Sequence, residues 1–432
     1  MLAPSQRKNT RWAIVALLFF ATTINYLDRQ VISLLKEDYL DKEFGWKESD
    51  YSNIVICFQI AYAIGLLIAG WVIDKVGTRL GYAVSIILWS VAAILHAFAG
   101  NTFGFMAARA FLGVSEAGNF PAAIKTVTEW FPKKERALAT GIFNSGSNVG
   151  AIFAPLTVPL IAVVFSWQMA FVLTGLVGFI WLIFWFKIYT TPQQNKLLSA
   201  EELQYIQQDD AKEIEQSSNT ATLTLKDILS LKQTWAFAIG KFLTDPIWWF
   251  YLFWLPSFLK NEYNLTKTDI ALPIALVYTM AMIGSIMGGW LSGYFMRSNN
   301  NALQMRIKTL LVFALFALPV VFVQYLGSIN MWLAILIIGF AAAGHQGFSA
   351  NIYTTVSDMF PKKSVATVTG VGGMAGAIGG ILIAKLAGSM FDHYKALGNI
   401  QQGYFIMFCI CGCAYIVAVF VMKRLTRKII QL

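Results

Sequence analysis

The chain has 432 residues, of which 57% are hydrophobic and only 13% are charged, and its mean hydropathy is +0.59. Soluble proteins average roughly 45–50% apolar and about 25% charged residues, so this composition excludes a soluble globular protein and indicates one that lies in a lipid bilayer. The formal net charge of +10 does not indicate nucleic-acid binding, because the basic residues are scattered over short turns between apolar segments.

Apolar segments of about 20 residues, the length that crosses roughly 30 Å of hydrocarbon, recur twelve times between short polar turns. They lie near residues 12–35, 51–73, 80–99, 103–127, 137–163, 167–188, 234–259, 270–296, 308–326, 331–356, 364–391 and 403–422. We therefore predict an all-α membrane protein with twelve transmembrane helices in two pseudo-symmetric six-helix bundles. The predicted divisions are an N-terminal bundle at 1–189, a cytoplasmic linker at 190–230 and a C-terminal bundle at 231–432.

An internal repeat relates the two predicted bundles. Residues 129–134 (EWFPKK) are echoed by residues 358–363 (DMFPKK) at a spacing of 229, and the match continues into the flanking helices. The same register pairs Glu116 with His345, so each half places one ionisable residue at the same apolar depth. Parallel repeats of this kind are found in membrane transporters, whose substrate sites lie between the halves. The repeat therefore predicts a duplicated transporter with a central site.

Lysine and arginine concentrate in the turns on one side of the predicted bundles, as at Lys75, Lys133 and Lys362. Such turns face the cytoplasm in most membrane proteins. Because both chain ends share that side, we expect both termini to be cytoplasmic.

The first predicted helix carries Asp28 and Arg29 at a depth where a charge is costly. Arg29 is a candidate anchor for an anionic ligand, because a guanidinium can bind a carboxylate through two parallel hydrogen bonds. The alternative is a purely structural ion pair of Arg29 with Asp28 or Glu116. Tyr26 on the same helix and Tyr62 on the second fall on faces that could border a cavity, although helix packing explains each equally well.

The fourth predicted helix carries Arg109 and Glu116. Seven residues separate them, so they lie two helical turns apart on one face, where Arg109 can influence the charge of Glu116. Coupling of transport to protons needs groups whose protonation changes between conformations. Glu116 and Asp28 are the candidates for this role.

The fifth predicted helix carries Asn144, Ser147 and Asn148 on a face that could border the cavity. Each of these residues could equally serve helix packing. The seventh predicted helix is rich in aromatic residues that could stack on the apolar face of a sugar ring: Trp248, Trp249, Tyr251 and Trp254. An interfacial aromatic belt explains Trp248 and Trp249 equally well.

The tenth predicted helix carries four hydrogen-bonding side chains within about two turns: His345, Gln346, Ser349 and Asn351. In an apolar helix such side chains face protein or water rather than lipid. The pattern predicts a polar wall of the substrate site, with a hydrogen-bonded packing histidine as the alternative for His345.

Catalytic chemistry has no support in the sequence. The four cysteines are all embedded in predicted helices, which implies no disulfide framework, and their spacing does not favour a metal site. The three histidines are not grouped with a serine or cysteine nucleophile, and no phosphate-binding loop is present. We expect neither an enzyme nor a bound cofactor.

The turn between the second and third predicted helices, residues 70–79 (GWVIDKVGTR), resembles the loop signature of the major facilitator superfamily. The resemblance implies that Gly70, Asp74, Gly77 and Arg79 take part in gating, through a cytoplasmic charge lock between the acid and a basic residue. The alternative gives Asp74 a helix-capping role and Arg79 a role in topology alone.

Other segments resemble the sugar-acid (anion:cation symporter) branch of that superfamily, and bacterial hexuronate transporters in particular. These segments are residues 25–29 (NYLDR), Arg109 with residues 115–117 (SEA), 129–132 (EWFP), 166–168 (SWQ), 345–351 (HQGFSAN) and 357–363 (SDMFPKK). The pair of Asp28 and Arg29 is equally similar to aldonate carriers such as galactonate transporters, so the resemblance leaves hexuronate and aldonate both open.

The resemblance implies proton-coupled symport of a sugar-acid anion into the cytoplasm, by a monomer in a bacterial inner membrane. It assigns proton transfer to Asp28 and Glu116, so that protonation frees Arg29 for the substrate carboxylate. Three alternatives are weaker. A drug antiporter lacks its Gly-Pro signature here because Ala151 follows Gly150, an organophosphate-type exchanger is expected to use paired arginines, and a non-transporting sensor is expected to carry a signalling domain.

Overall fold

The structure, a computed structural model, describes residues 10–209, 223–265, 269–297 and 301–430. Within these ranges the protein is helical and contains no β-strand. Residues 210–222 of the predicted linker lie outside the described ranges.

The helices of the first half follow the predicted apolar segments. Their bounds are Thr10–Leu35 (α1), continued by a π-helical turn and by Asp41–Phe44 (α2), then Glu48–Val76 (α3), Thr78–Leu95 (α4), Thr102–Glu116 (α5), Asn119–Trp130 (α6), Lys133–Val164 (α7) and Trp167–Ile188 (α8). Polar side chains cap two of these helix starts: Asn101 accepts a hydrogen bond from Gly104 N at 2.8 Å, and Ser166 accepts one from Met169 N at 3.2 Å. Two short helices, Ala200–Ile206 (α9) and Leu225–Ser230 (α10), follow within the linker.

The second half repeats this arrangement. Its helices are Lys232–Tyr263 (α11), Ala271–Phe295 (α12), Ala302–Ala317 (α13), Val323–Ile329 (α14), Met331–Met359 (α15), Val365–Ala396 (α16) and Ile400–Ile430 (α17). The bundle divisions at 189 and 231 fall just after α8 and just before α11, and they stay a prediction.

All twelve predicted spans are helical. Ten of them are long and apolar enough to cross a bilayer by length and composition, counted over the described residues. The other two are α5 with α6, and α11. These two carry charged residues within their apolar sequence, such as Glu116 in α5 and Lys241 and Asp245 in α11.

The fourth span is interrupted directly after Glu116, so that α5 ends there and α6 begins at Asn119. Pro121 explains the interruption, because proline has no N–H to donate to the carbonyl of Ala117, four residues earlier, and its ring crowds that carbonyl. The repeat partner of this span, α15, runs without a break past His345.

The two halves pack most extensively at two helix crossings, α3 against α16 and α7 against α12. A side chain at Gly70 would overlap the backbone of Ala366 in the first crossing, and one at Gly289 would overlap the backbone of Ala137 in the second. The facing residues Ala137 and Ala366 are 229 residues apart, which is the spacing of the repeat, and Trp follows both glycines. Glycine therefore lets the halves touch backbone to backbone at equivalent places.

One face of the molecule, where α1 begins and α17 ends, is held together by arginines, and we call it the basic face. Arg136 donates to the carbonyl of Ser357 at 2.7 Å, which joins the two halves. Arg306 lies 3.0 Å from Asp358 and donates to the carbonyl of Lys133 at 2.7 Å. The molecule is therefore closed at the basic face.

The linker helix α9 is fastened to the same face. The carboxylate of Glu202 is fully buried and accepts hydrogen bonds from the backbone N–H of Thr10 and Arg11, at the start of α1. Arg11 also pairs with Glu202 at 2.8 Å and with Glu135 at 2.9 Å. A carboxylate at a helix start satisfies N–H groups that have no partner within the helix.

Candidate functional site

A central cavity lies between the two halves. Its inner part is bordered by Tyr26, Arg29, Tyr62, Leu66, Phe120, Asn144 and Ser147 of the first half and by Lys241, Asp245, Trp248, Trp249, His345, Gln346, Ser349, Tyr353, Gly373 and Ala377 of the second. A wider outer part, of about 1420 Å³ including space open to solvent, continues towards the face opposite the basic face. The cavity is thus open at one face and closed at the other.

Arg29 is the positive charge of the first half that borders the inner cavity. Its Nε and Nη2 atoms each lie 2.9 Å from Oε2 of Glu116, whose side chain is completely buried. The guanidinium is surrounded by the rings of Tyr26, Phe58 and Tyr62, with centroids 4.8, 5.0 and 4.7 Å from Cζ. Arg29 therefore forms the ion pair that the sequence offered as an alternative, and it borders the cavity as well.

Asp28 and Arg109 lie directly behind this pair. Asp28 is 2% exposed, and neither of its carboxyl oxygens has a hydrogen-bond partner among the described residues. Arg109 donates from Nη2 to the backbone carbonyl of Arg29 at 2.8 Å, and its side chain borders the outer cavity. Four charged residues are thus grouped in the first half.

Around His345 the wall of the second half carries aromatic and amide side chains in place of the charges of the first half. The His345 ring stacks on Trp248 with centroids 5.1 Å apart, and its Nδ1 lies 2.8 Å from the hydroxyl of Tyr415. Asn144 of α7 donates to Oε1 of Gln346 of α15 at 2.7 Å, so that an amide pair joins the halves across the floor of the cavity. This wall offers aromatic faces and amide groups to a ligand.

A second ion pair lies in the cavity wall, between Lys241 and Asp245 of α11 at 2.7 Å. The Nζ of Lys241 also lies 3.8 Å from the centroid of the Tyr353 ring. The interpretation of the sequence missed both residues. The available signal was a pair of opposite charges four residues apart in an apolar helix, which places them on one face.

Three of the predicted substrate residues do not border the cavity. Asn351 donates to the carbonyls of Gly288 and Gly347 at 2.9 and 2.8 Å, and so joins α12 to α15. Trp254 packs edge-on against Phe391 with centroids 4.8 Å apart. Asn148 is completely buried within the first half.

The predicted gating residues lie at the basic face, with partners that the loop signature alone did not identify. Asp74 pairs with Lys125 at 2.8 Å and accepts hydrogen bonds from the backbone N–H and the hydroxyl of Thr367, at the start of α16 in the other half. Arg79 instead donates to the carbonyl of Phe186 at 3.0 Å. Gly77 has φ of 89°, a value that favours glycine, in the turn between α3 and α4. Asp74 therefore joins the halves through a helix start, while Arg79 holds the end of α8.

Two helical bundles that cross the bilayer around a polar cavity, closed at one face and open at the other, define a membrane transporter. The chain belongs to the Major Facilitator Superfamily, whose family model matches residues 18–384. It is 33% identical to the hexuronate transporter of Escherichia coli (strain K12) over 387 residues, which cover 89% of this chain and 88% of that protein.

The galacturonate transporter of Dickeya chrysanthemi is also 33% identical, over 290 residues that cover 67% of this chain and 84% of that protein. Among solved structures, the proton:xylose symporter XylE, bound to 6-bromo-6-deoxy-D-glucose, matches with a TM-score of 0.76 at 16% identity, over 96% of each chain. These findings confirm the predicted twelve-helix fold and the resemblance to the sugar-acid branch. The protein is a multi-pass membrane transporter and not an enzyme.

Proposed function

We propose that the protein is a proton-coupled symporter that carries a hexuronate, such as glucuronate or galacturonate, into the cytoplasm by alternating access. The observation that supports this most strongly is Arg29, which borders the cavity while its charge is balanced by the buried Glu116. A hexuronate offers one carboxylate and several hydroxyls, which match one accessible guanidinium and a wall of amide and aromatic groups.

In this proposal, substrate transport is coupled to protons because Glu116 and the substrate carboxylate compete for Arg29. While Glu116 is charged, its carboxylate occupies the guanidinium that the substrate needs. A proton on Glu116 removes that competition, and the substrate carboxylate then takes its place. Asp28 is the second proton carrier, because a charged carboxylate buried without hydrogen bonds is costly and protonation removes the charge.

Closure and opening then follow from the contacts between the halves. The cavity described above is open at the face opposite the basic face. If the basic face is cytoplasmic, as its arginines favour, this is the conformation that receives substrate from outside. Release inside requires the crossings at Gly70 and Gly289 and the contact between Arg136 and Ser357 to separate. We propose that the transporter works as a monomer in a bacterial inner membrane.

The test is uptake of labelled galacturonate and glucuronate into proteoliposomes driven by an imposed pH gradient. Accumulation above equilibrium that a protonophore abolishes would support symport, and competition by unlabelled galactonate would rank hexuronate against aldonate. If wild-type protein accumulates neither acid while a control symporter is active in the same vesicles, the proposal is wrong.

Anion exchange is the second candidate, because two arginines, Arg29 and Arg109, border the outer cavity. An exchanger would move labelled sugar acid against unlabelled acid at the same rate with or without a pH gradient. Measurement of counterflow at equal internal and external pH therefore separates the two mechanisms.

A further inference from the structure

The pair of Lys241 and Asp245 forms a second charged group at the cavity that Arg29 borders. The mechanism proposed above does not use it. Arg29, Tyr26 and Tyr62 of the first half and Lys241 and Asp245 of the second half all border the inner cavity, so a ligand in it meets both charged groups. A ligand held by Arg29 at one end therefore has its other end near the second pair.

The two members of this pair are not equally accessible. The side chain of Lys241 is 2% exposed, while that of Asp245 is 19% exposed. The ring of Tyr353 covers the Lys241 ammonium. Asp245 is seated against α16 at Gly376, where any side chain would overlap the Asp245 carboxylate. The group that a ligand meets is therefore the carboxylate, with the ammonium behind it.

An accessible carboxylate favours hydrogen-bond donors and repels other carboxylates. Hydroxyl groups can donate to it, whereas a second carboxylate of the ligand would be placed next to a like charge. Like charges in contact are a common means of excluding the wrong ligand, and they cost several kcal/mol in interfaces.

We infer that Asp245 determines substrate specificity: it binds hydroxyls at the end of the sugar acid remote from Arg29 and excludes sugar acids that carry a carboxylate at both ends. This inference rests on the proposed function, because it takes Arg29 as the anchor of the first carboxylate. The transporter accordingly selects monocarboxylates, with Lys241 as the positioning residue that holds Asp245.

Galacturonate and galactarate test this inference, because they share a six-carbon skeleton and galactarate carries a second carboxylate where galacturonate carries the aldehyde carbon that closes its ring. The quantity to measure is the ratio of their binding constants, from the fluorescence of Trp248 and Trp249 at the cavity, and the ratio of their uptake rates. Wild type should prefer galacturonate. Asp245→Asn should raise the ratio of galactarate to galacturonate by about tenfold or more, since it removes a like charge and leaves the Lys241 ammonium to attract the second carboxylate.

Asp245→Glu is the matched control, because it keeps the negative charge, and its ratio should stay near that of wild type. A rise in both variants, or in neither, would overturn the inference. The inference would also be overturned if wild type preferred galactarate and Lys241→Gln abolished that preference.

A measurement on wild type alone covers the case in which the variants do not fold. The monomethyl ester of galactarate masks one carboxylate, and it should inhibit galacturonate uptake about tenfold more strongly than galactarate does. Equal inhibition would contradict the inference while leaving the proposed function intact. Failure of wild type to bind or transport any sugar acid would instead overturn the proposed function itself.

Discussion

Glu116 in the first half and His345 in the second occupy equivalent positions of the repeat, and their surroundings differ. Glu116 lies beside an interruption in its helix and pairs with Arg29. His345 lies in an unbroken helix, stacks on Trp248 and contacts the Tyr415 hydroxyl. The duplicated framework was kept while its chemistry diverged. We therefore expect the first half to bind the substrate carboxylate and to couple its transport to protons. We expect the second half to contact the rest of the substrate.

The largest effect is expected at Arg29. Arg29→Ala removes the guanidinium and leaves Glu116 buried without its partner, a change that typically costs about 2–5 kcal/mol in a binding site. Hexuronate uptake should fall by about 30-fold to a few thousand-fold, at 1.4 kcal/mol for each factor of ten. Initial rates in proteoliposomes measure this.

Arg297→Ala is the matched control, since Arg297 is exposed and lies outside the cavity. Its uptake should stay within about twofold of wild type, because isolated surface charges contribute little. Equal losses of uptake in both variants would show that a general folding defect causes the loss, and not the removal of the guanidinium that binds the substrate.

The next effect concerns the two equivalent glycine crossings. Gly70→Val and Gly289→Val each force a side chain into a facing backbone at the basic face, and overpacking of this kind costs about 1–3 kcal/mol. The population open at the opposite face should shrink, because its equilibrium constant with the conformation open at the basic face falls by about 5- to 150-fold. Reaction of a single cysteine at Ser33, which borders the outer cavity, with an impermeant thiol reagent measures that population in a cysteine-free background.

Gly388→Val provides the comparison for the glycine variants, because a Cβ atom added at Gly388 meets nothing within 4 Å beyond its own turn of the helix. Its labelling should match that of the parent protein. If labelling changes in only one of the two glycine variants, the two crossings do not contribute equally to closure. The repeat then relates the positions of the helices but not their part in closure.

A smaller effect is expected on proton-driven accumulation, which should depend on Glu116 and not on His345. For one coupled proton, accumulation changes about tenfold per pH unit of gradient, because one unit corresponds to 1.36 kcal/mol. Glu116→Gln cannot be charged, so accumulation should fall to the equilibrium level while counterflow of labelled substrate continues. His345→Gln should retain gradient-driven accumulation. Undiminished accumulation in Glu116→Gln would remove Glu116 from the coupling mechanism.

The smallest effect is expected from His345→Phe, which keeps an aromatic ring to stack on Trp248 and loses the contact with Tyr415. A hydrogen bond contributes about 0.5–1.5 kcal/mol, so KM should rise about two- to tenfold with the accumulation ratio unchanged. Tyr415→Phe should reproduce the change. A loss of accumulation in either variant would give the second half a part in proton coupling, against the division proposed here.

Much of the site was predictable because buried charge is rare in an apolar helix. Arg29, Asp28 and Glu116 are identifiable on that ground alone, and the structure places them together. Trp254 and Asn351 show the limit of such predictions. Their residue types and approximate depths fit a substrate site, but their side chains contact other helices and do not border the cavity. Lys241 and Asp245 are also charged residues in an apolar helix, as Arg29 is. They were not predicted, because the interpretation of that helix rested on its aromatic residues.

The sequence by itself determined the number of spans, their order and the repeat, because the apolar length needed to cross a bilayer is a local property of the chain. Only the tertiary structure decided which side chains meet in the cavity, that Asp74 pairs with Lys125 and caps α16 of the other half, and which face is closed. These features depend on the rotation and crossing of helices packed in lipid. That packing is set by close contacts such as those at Gly70 and Gly289, which bring together residues far apart in the chain.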